Sequence, residues 1–206
     1  DVRDLAAWMR IIEDVETRGG PLEVLINNAG VCLPGACDQV SAEEDRLTVE
    51  VNLLGVMNGV RAVLPRFLTR KRGHVINIAS MAAFAPAPEL ASYCATKHAV
   101  RAYTHACALD HRHAPIHWTL ACPSAVETPM LESMRKKRAG VVVFTEKPMA
   151  PEKFAAAVVE AIRNPKPEVL VPSGRGKLLR FIGLFPWVVA RGMDDAERRG
   201  RETLDR

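Results

Sequence analysis

Four short apolar runs punctuate the chain and constrain its fold more than any other feature. They are "LEVLIN" (Leu22 to Asn27), "HVINIAS" (His74 to Ser80), "IHWTLAC" (Ile116 to Cys122) and "EVLVP" (Glu168 to Pro172). Each has a strand's length and ends at polar or turn-forming residues, which reads as a buried strand. Between them lie stretches of helical composition. Asp4 caps a first helix from about Leu5 to Thr17, closed by Gly19, Gly20 and Pro21. Ser41 with Glu44 three residues on makes a capping box and opens a long helical stretch to about Lys71. Ala91 to about His111 and "PEKFAAAVVEAIRN" (Pro151 to Asn164) are further helices, and the Pro123 to Pro151 segment reads as irregular. Apolar strands alternating with helices predict an α/β domain whose parallel sheet is buried on both faces. The 206 residues suit one domain with a substantial core.

In such sheets ligands bind beyond the carboxyl ends of the strands. Those ends carry the polar residues here: "NNAG" (Asn27 to Gly30) after the first strand, Ser80 after the second and "PSAVET" (Pro123 to Thr128) after the third. The helix bearing Tyr93 starts shortly beyond Ser80. Residues far apart in sequence are therefore expected on one rim.

Composition narrows the class of function. A net charge of +4 is modest, and the basic clusters "RKRG" (Arg70 to Gly73) and "RKKR" (Arg135 to Arg138) lack interleaved aromatics. Solvated helix ends explain both, so nucleic acid is not an expected partner. The five cysteines are scattered, with no CxxC pair, which fits a reducing cytoplasm better than a disulfide framework or a zinc knuckle. "HRH" (His111 to His113) sits at a helix end, where cationic side chains suit the dipole, and no metal is expected. "GRGK" (Gly174 to Lys177) lacks the spacing of a phosphate loop and reads as a turn. The chain opens on "DVRD" without a signal-peptide pattern, and the expected location is cytoplasmic.

"SYCATKHAV" (Ser92 to Val100) sets Tyr93 and Lys97 one helical turn apart, so the ammonium can approach the phenol. Lowering a tyrosine from about 10 toward about 7 takes roughly 4 kcal/mol. A unit charge at about 4 to 5 Å and an effective dielectric of about 20 supplies roughly 3 to 4. Tyr93 is thus a candidate general acid and base, with Ser80 placed to hydrogen-bond the reacting oxygen. Asn52 is a poor interior helix former in a helix already weakened by Gly55 and Gly59, a local rule broken without structural gain. Cys94, beside Tyr93, reads as a packed small hydrophobe.

Together these motifs resemble the short-chain dehydrogenase/reductase family, in family order along nearly the whole chain. "NNAG", Asn52 in "VNLLG", Ser80 in "INIAS", the Tyr93 and Lys97 pair 13 residues later, and "PSAVET" with Ser124 in a glycine's place all match its pattern. The resemblance implies a doubly wound, Rossmann-like domain over residues 1–206, with 123–150 as a substrate lid and 174–206 as a C-terminal extension. It implies an NAD- or NADP-dependent oxidoreductase with Asn52, Ser80, Tyr93 and Lys97 as catalytic residues. Lys97 would also hold the nicotinamide ribose, and Asn52 would support a water relay to Tyr93. Asn28, Ala29, Gly30, Pro123, Val126 and Thr128 would line the cofactor, although Thr128 also reads as a helix cap before Pro129. Asp1 and Val2 resemble the end of the family's third strand and would meet the adenine.

The family pattern begins with a strand and a Gly-rich turn that cradles pyrophosphate at a helix N-terminus. Neither the first two strands nor that turn is found in this sequence. The expectation is a part of a longer enzyme that by itself binds dinucleotides poorly, with "LEVLIN" left as a bare apolar edge.

Met81, Phe84 and Pro88 are expected to wall the substrate on one side, with Met130, Leu131 and Met134 facing it from the lid. The surroundings suit a lipophilic alcohol and its ketone or aldehyde. Leu178, Leu179, Phe181, Ile182, Leu184, Phe185 and Trp187 form a greasy segment with three readings: pocket wall or core, subunit interface, or membrane-surface contact through 177–190. Ala91, Ala95, Ala99, Ala102 and Ala106 give the Tyr93 helix a smooth flank suited to a homodimer or homotetramer, and the last dozen residues read as a solvated tail. The rival to an enzyme is a non-catalytic protein of the same fold, a dinucleotide sensor or interaction partner.

Overall fold

The computed structural model describes residues 1–205. Helix α1 (Leu5–Gly19) is capped by the Asp4 carboxylate, which accepts from the Ala7 amide, and it stops where Gly20 takes a left-handed φ of 81°. Strand β1 (Val24–Asn27) follows. Helix α2 (Ala42–Val49) opens with the full Ser41/Glu44 capping box and runs through one π-helical turn (Glu50–Leu54) into α3 (Gly55–Arg70). Strand β2 (Gly73–Ile78) is buried at every position and leads to α4 (Ala91–Asp110). Strand β3 (Ile116–Pro123), α5 (Pro129–Lys137), α6 (Pro151–Arg163) and β4 (Glu168–Val171) follow, and α7 (Ser173–Ile182) and α8 (Pro186–Leu204) complete the described chain.

The four strands lie parallel in the order β1-β2-β3-β4, with Val24 opposite His74, Gly73 opposite Ile116, and Leu120 opposite Glu168. On one face Leu25, Val75, Trp118 and Leu120 pack against α1, α3 and α4 through Ile12, Val63, Phe67 and Val100. On the other, Ile76, Ile78 and Ala121 meet α6 through Val158, with Phe154 and Ile162 beside it. Burial on both faces therefore holds for the central strands. At β1 it does not: Ile26 points to the α6 face and stays 42% exposed, and β1 carries no second strand partner among the described residues.

Three stretches depart from the sequence reading. Between Pro123 and Pro151 the chain forms α5, where the Thr128 hydroxyl accepts from the Leu131 amide and Pro129 fills the first turn, and then a 3₁₀ segment (Val141–Thr145). The Gly174 to Lys177 stretch forms the first turns of α7 rather than a turn of its own, because buried Gly176 lets the helix close on Leu170. The expected tail of a dozen residues forms the C-terminal half of α8 as far as Leu204, and buried Gly200 seats it on the Val141 carbonyl, which a Cβ there would approach to 2.1 Å. Tertiary packing overrides the polar composition that suggested disorder.

A polar ladder crosses the α3/α4 side of the sheet. Asn27 Nδ2 donates to Asn77 Oδ1 (2.8 Å) and Asn77 Nδ2 to Thr104 Oγ1 (2.9 Å), all buried. Gly59 of α3 lies against it, and a Cβ there would fall 2.2 Å from Asn27 Oδ1. Gly59→Ala gains about 1 kcal/mol of helix propensity. It loses more through overpacking and a disturbed buried amide, each about 1 to 3. The expected outcome is a net loss on the order of 2 kcal/mol, read as a lower urea midpoint at unchanged m-value.

Candidate active site

The site forms where β2 and β3 end and α4 begins. Beyond β2, Ser80 is extended and starts a short 3₁₀ turn, its Oγ accepting from the Ala82 amide (3.1 Å). Tyr93 lies in the first turn of α4, and Lys97 follows one turn later on the same face. The Lys97 side chain is nearly enclosed, at 4% exposure, and its Nζ donates to the Ile78 carbonyl at the end of β2 (3.0 Å). That Nζ stands 5.6 Å from the Tyr93 ring centroid. The two side chains therefore lie side by side on one face of α4.

The electrostatics are not those expected. Burial is the largest influence on the Tyr93 phenol and raises it well above its ordinary value, with the neighbouring Ser80 hydroxyl acting in the opposite direction. Burial also lowers Lys97 from its ordinary 10.5 to about 8, against the opposing influence of Cys122 and Cys32. In the chain alone desolvation outweighs the Coulombic help that the sequence argument assigned to the ammonium.

Asn52 occupies the π turn, fully buried. Its Oδ1 accepts from the Val31 amide (2.8 Å), and its Nδ2 donates to the Val31 carbonyl (2.9 Å) and to Thr96 Oγ1 (3.2 Å). Thr96 Oγ1 in turn donates to the Tyr93 carbonyl (2.8 Å). Asn52 thus clamps the loop after β1 to the helix carrying Tyr93, and a π turn is a frequent way to aim such a side chain.

A cavity of about 870 Å³ opens at this rim. Asn28, Ala29, Gly30, Ser80, Tyr93, Lys97, Pro123, Val126 and Thr128 all line it, while Asn52 stands behind that wall. A Cβ on Gly30 would come to 3.3 Å from Asn52 Oδ1 and 3.6 Å from Lys97 Nζ, so the glycine keeps the approach to the ammonium open. Asp1 and Val2 lie elsewhere: Asp1 pairs with Arg3, and Val2 packs on Gly55 while its carbonyl accepts from Trp8. Thr128 both lines the cavity and caps α5.

Met81, Met130, Leu131 and Met134 line the cavity as expected. Phe84 and Pro88 do not. The Phe84 ring turns into the core with Val100 and Leu120, under the Arg101 guanidinium at 4.7 Å. The chain between α5 and the Val141–Thr145 segment is pinned to the loop before α4, where Glu89 Oε2 accepts from the Gly140 amide (2.6 Å). Sequence reasoning missed Cys32, Glu146, Arg175 and Arg199, which also line the cavity. Arg175 carried a signal, since a cation in a helix's first turn opposes the dipole, but reading that stretch as a turn concealed it. Asn77, polar at the centre of an apolar run, was a visible signal for the buried ladder.

The geometry has counterparts among known proteins. The family model for short chain dehydrogenase matches residues 1–139. The chain belongs to the short-chain dehydrogenase family. It is 30% identical over 183 residues to the oxidoreductase UcpA of Escherichia coli strain K12, covering 88% of this chain and 66% of UcpA. It is 31% identical over 181 residues to the oxidoreductase EphD of Mycobacterium tuberculosis strain H37Rv, covering 81% of this chain and 31% of EphD. The short-chain dehydrogenase chain thus spans just under two thirds of UcpA and about a third of EphD. Among solved structures, a short-chain dehydrogenase from Novosphingobium aromaticivorans superposes with a TM-score of 0.74 at 27% identity, covering 99% of this chain and 76% of that one. A 4-hydroxyisoleucine dehydrogenase complexed with NADH shares the fold, with a TM-score of 0.68 at 22% identity over 82% of this chain and 76% of that one.

Lys97 provides a direct check on the burial argument. Unfolding returns the ammonium to water, so between about pH 8 and 10.5 the unfolded chain holds a proton that the folded chain lacks. The contribution of Lys97 to stability therefore rises with pH through that window. Lys97→Met should remove on the order of 3 kcal/mol of this rise. Urea unfolding of both proteins at about pH 7.5 and about pH 10.5 reads the difference directly.

Proposed function

We propose that the protein is an NAD- or NADP-dependent oxidoreductase that interconverts a lipophilic alcohol and its ketone or aldehyde. One observation carries this reading: Ser80, Tyr93 and Lys97 meet on one wall of a large cavity whose other walls are mainly apolar. The residues fit a nicotinamide and its ribose, because the rim at Asn28, Ala29 and Gly30 is kept open beside an ammonium that has donors to spare. Tyr93 and Lys97 would hold the ribose, and Pro123, Val126 and Thr128 would flank the nicotinamide. The bound cofactor would supply or accept the hydride.

The chain's own residues would handle the oxygen. Ser80 donates a hydrogen bond to it as charge develops, and Tyr93 gives or takes the proton. Lys97, held by the Ile78 carbonyl, keeps a positive charge beside the phenol and opposes the burial that raises it. The positive charge of an oxidised nicotinamide would act in the same direction. Asn52 positions Tyr93 through Thr96 and the loop after β1. Tyr93→Phe is expected to lower kcat by about a thousandfold or more, given that positioned acid–base groups contribute typically 10² to 10⁴. Far-UV circular dichroism should stay near wild type. Activity retained in that variant refutes the enzyme reading. A wild type that binds dinucleotide without turning over any alcohol or ketone in a broad panel favours the sensor.

Two surfaces support partners for this enzyme. Ala91, Ala95, Ala102 and Ala106 lie exposed along one flank of α4, a smooth face suited to a homodimer or homotetramer. Around the α7/α8 junction Phe181, Leu184 and Trp187 are 63%, 70% and 59% exposed, beside exposed Lys177 and Arg191. Leu178 and Val188 belong both to this patch and to the cavity lining, so the mouth opens onto it. An apolar patch with cationic flanks suits weak contact with an anionic membrane surface, from which a lipophilic substrate could enter. Flotation with phosphatidylglycerol vesicles should carry the wild type upward, and Phe181→Asp with Trp187→Asp should leave it at the bottom. Wild-type protein remaining below the vesicles refutes the membrane contact.

A further inference from the structure

The cavity carries charge that the proton-transfer corner does not use. Arg175 lines it, together with Glu146 and Arg199, among apolar side chains of α7 and α8 that include Leu179, Ile182 and Met193. The Arg175 side chain is only 19% exposed. Its Nη1 pairs with Glu146 Oε1 (2.6 Å) and its Nη2 donates to Thr145 Oγ1 (3.0 Å), while its buried Nε has no partner. A guanidinium presents five donors in a planar fork, so this one enters an apolar wall with donor capacity unspent. Its position in the first turn of α7, where the dipole disfavours a cation, makes a purely structural purpose a poor use of arginine.

The neighbours do not cancel that charge. Glu146 is the single carboxylate paired with Arg175 among the described residues, and its side chain is 53% exposed, so it faces water as much as protein. Arg199 adds a second positive charge to the lining, although its own donors are engaged by Asp195 (2.9 Å). With Arg199 offset by Asp195 and Arg175 offset only by a half-exposed Glu146, the charge with donors left in the apolar lining is that of Arg175, on a different element from Ser80 and Tyr93. A buried donor without a partner is a standing destabilisation that a ligand oxygen would relieve.

We infer that Arg175 receives an anionic group at the end of an otherwise apolar substrate, so that the substrate class is a hydroxy- or oxo-acid with an aliphatic body. This rests on the reading of the cavity as a site for a lipophilic substrate and adds a charge on a second element of its lining. The carboxylate meets the guanidinium edge with paired hydrogen bonds, and Glu146, already half in water, swings outward to make room. The aliphatic body lies along α7 and α8. Arg175 thereby acts as a specificity residue and takes no part in the proton transfer.

The test compares sodium decanoate with 1-decanol, equal in chain length and different in charge, by calorimetric titration of the intact chain at neutral pH. Decanoate is expected to bind at least about tenfold more tightly, a difference of one good charge-assisted contact. Arg175→Gln is expected to erase that preference, whereas Glu146→Gln, which frees the guanidinium, should strengthen decanoate severalfold. If Arg175 only braces α7 against the Val141–Thr145 segment, Glu146→Gln weakens binding or leaves it unchanged, and the inference fails. A preference that survives in folded Arg175→Gln, or one that disappears in Lys97→Met, overturns it as well, because the carboxylate then sits at the other corner. Equal binding of acid and alcohol ends this inference but leaves the lipophilic reading in place. Failure of both to bind removes the lipophilic reading itself.

Discussion

The site depends on an ammonium taken almost wholly out of water and held by one backbone carbonyl. Lys97 reaches Ile78 because α4 begins just beyond the end of β2, and because a side chain one turn into that helix points back toward the sheet. Burial of this kind opposes folding, and it lowers the basicity of the lysine while raising that of the phenol beside it. A protein that maintains this arrangement stores free energy at one corner of a cavity. Strongly perturbed titratable groups of this kind cluster at functional sites.

Around this corner the scaffold is tied by polar contacts that the apolar core could not supply. Asn52 uses both ends of its amide on Val31, so the loop after β1 cannot drift from α4. The Asn27 to Asn77 to Thr104 ladder joins β1, β2 and α4 across the buried face. Glu89 and Gly140, both with left-handed backbone, join the loop before α4 to the chain that follows α5. These contacts have fixed geometry, so they orient the elements that hydrophobic burial alone would leave free to slide. The cavity they frame is lined by Ser80, Tyr93 and Lys97, by methionine and leucine side chains, and by Arg175 and Arg199 of α7 and α8.

How much of this was legible differs from residue to residue. Ser80, Tyr93 and Lys97 could be placed on one rim because a strand end and a helical i, i+4 spacing are local geometry. The capping box at Ser41 and the cap at Asp4 were legible for the same reason. Phe84 was misplaced because nothing local tells whether an aromatic after a strand turns to the cavity or, as here, beneath Arg101 into the core. The first turns of α7 resembled a loop because two glycines suggest one, and only Leu170 across the fold shows why Gly176 belongs in a helix. The C-terminal half of α8 looked like solvated tail for want of its distant partner, the Val141 carbonyl.

By itself the sequence determined the alternation of strand and helix, the parallel sheet, and the identity of the residues brought to the strand ends, since periodicity and spacing act over a few residues. Tertiary structure alone decided which acid–base balance those residues adopt, which side chains wall the cavity, and that charge waits on α7 and α8. Desolvation and packing depend on what the rest of the chain places within a few ångströms, and no local pattern encodes that.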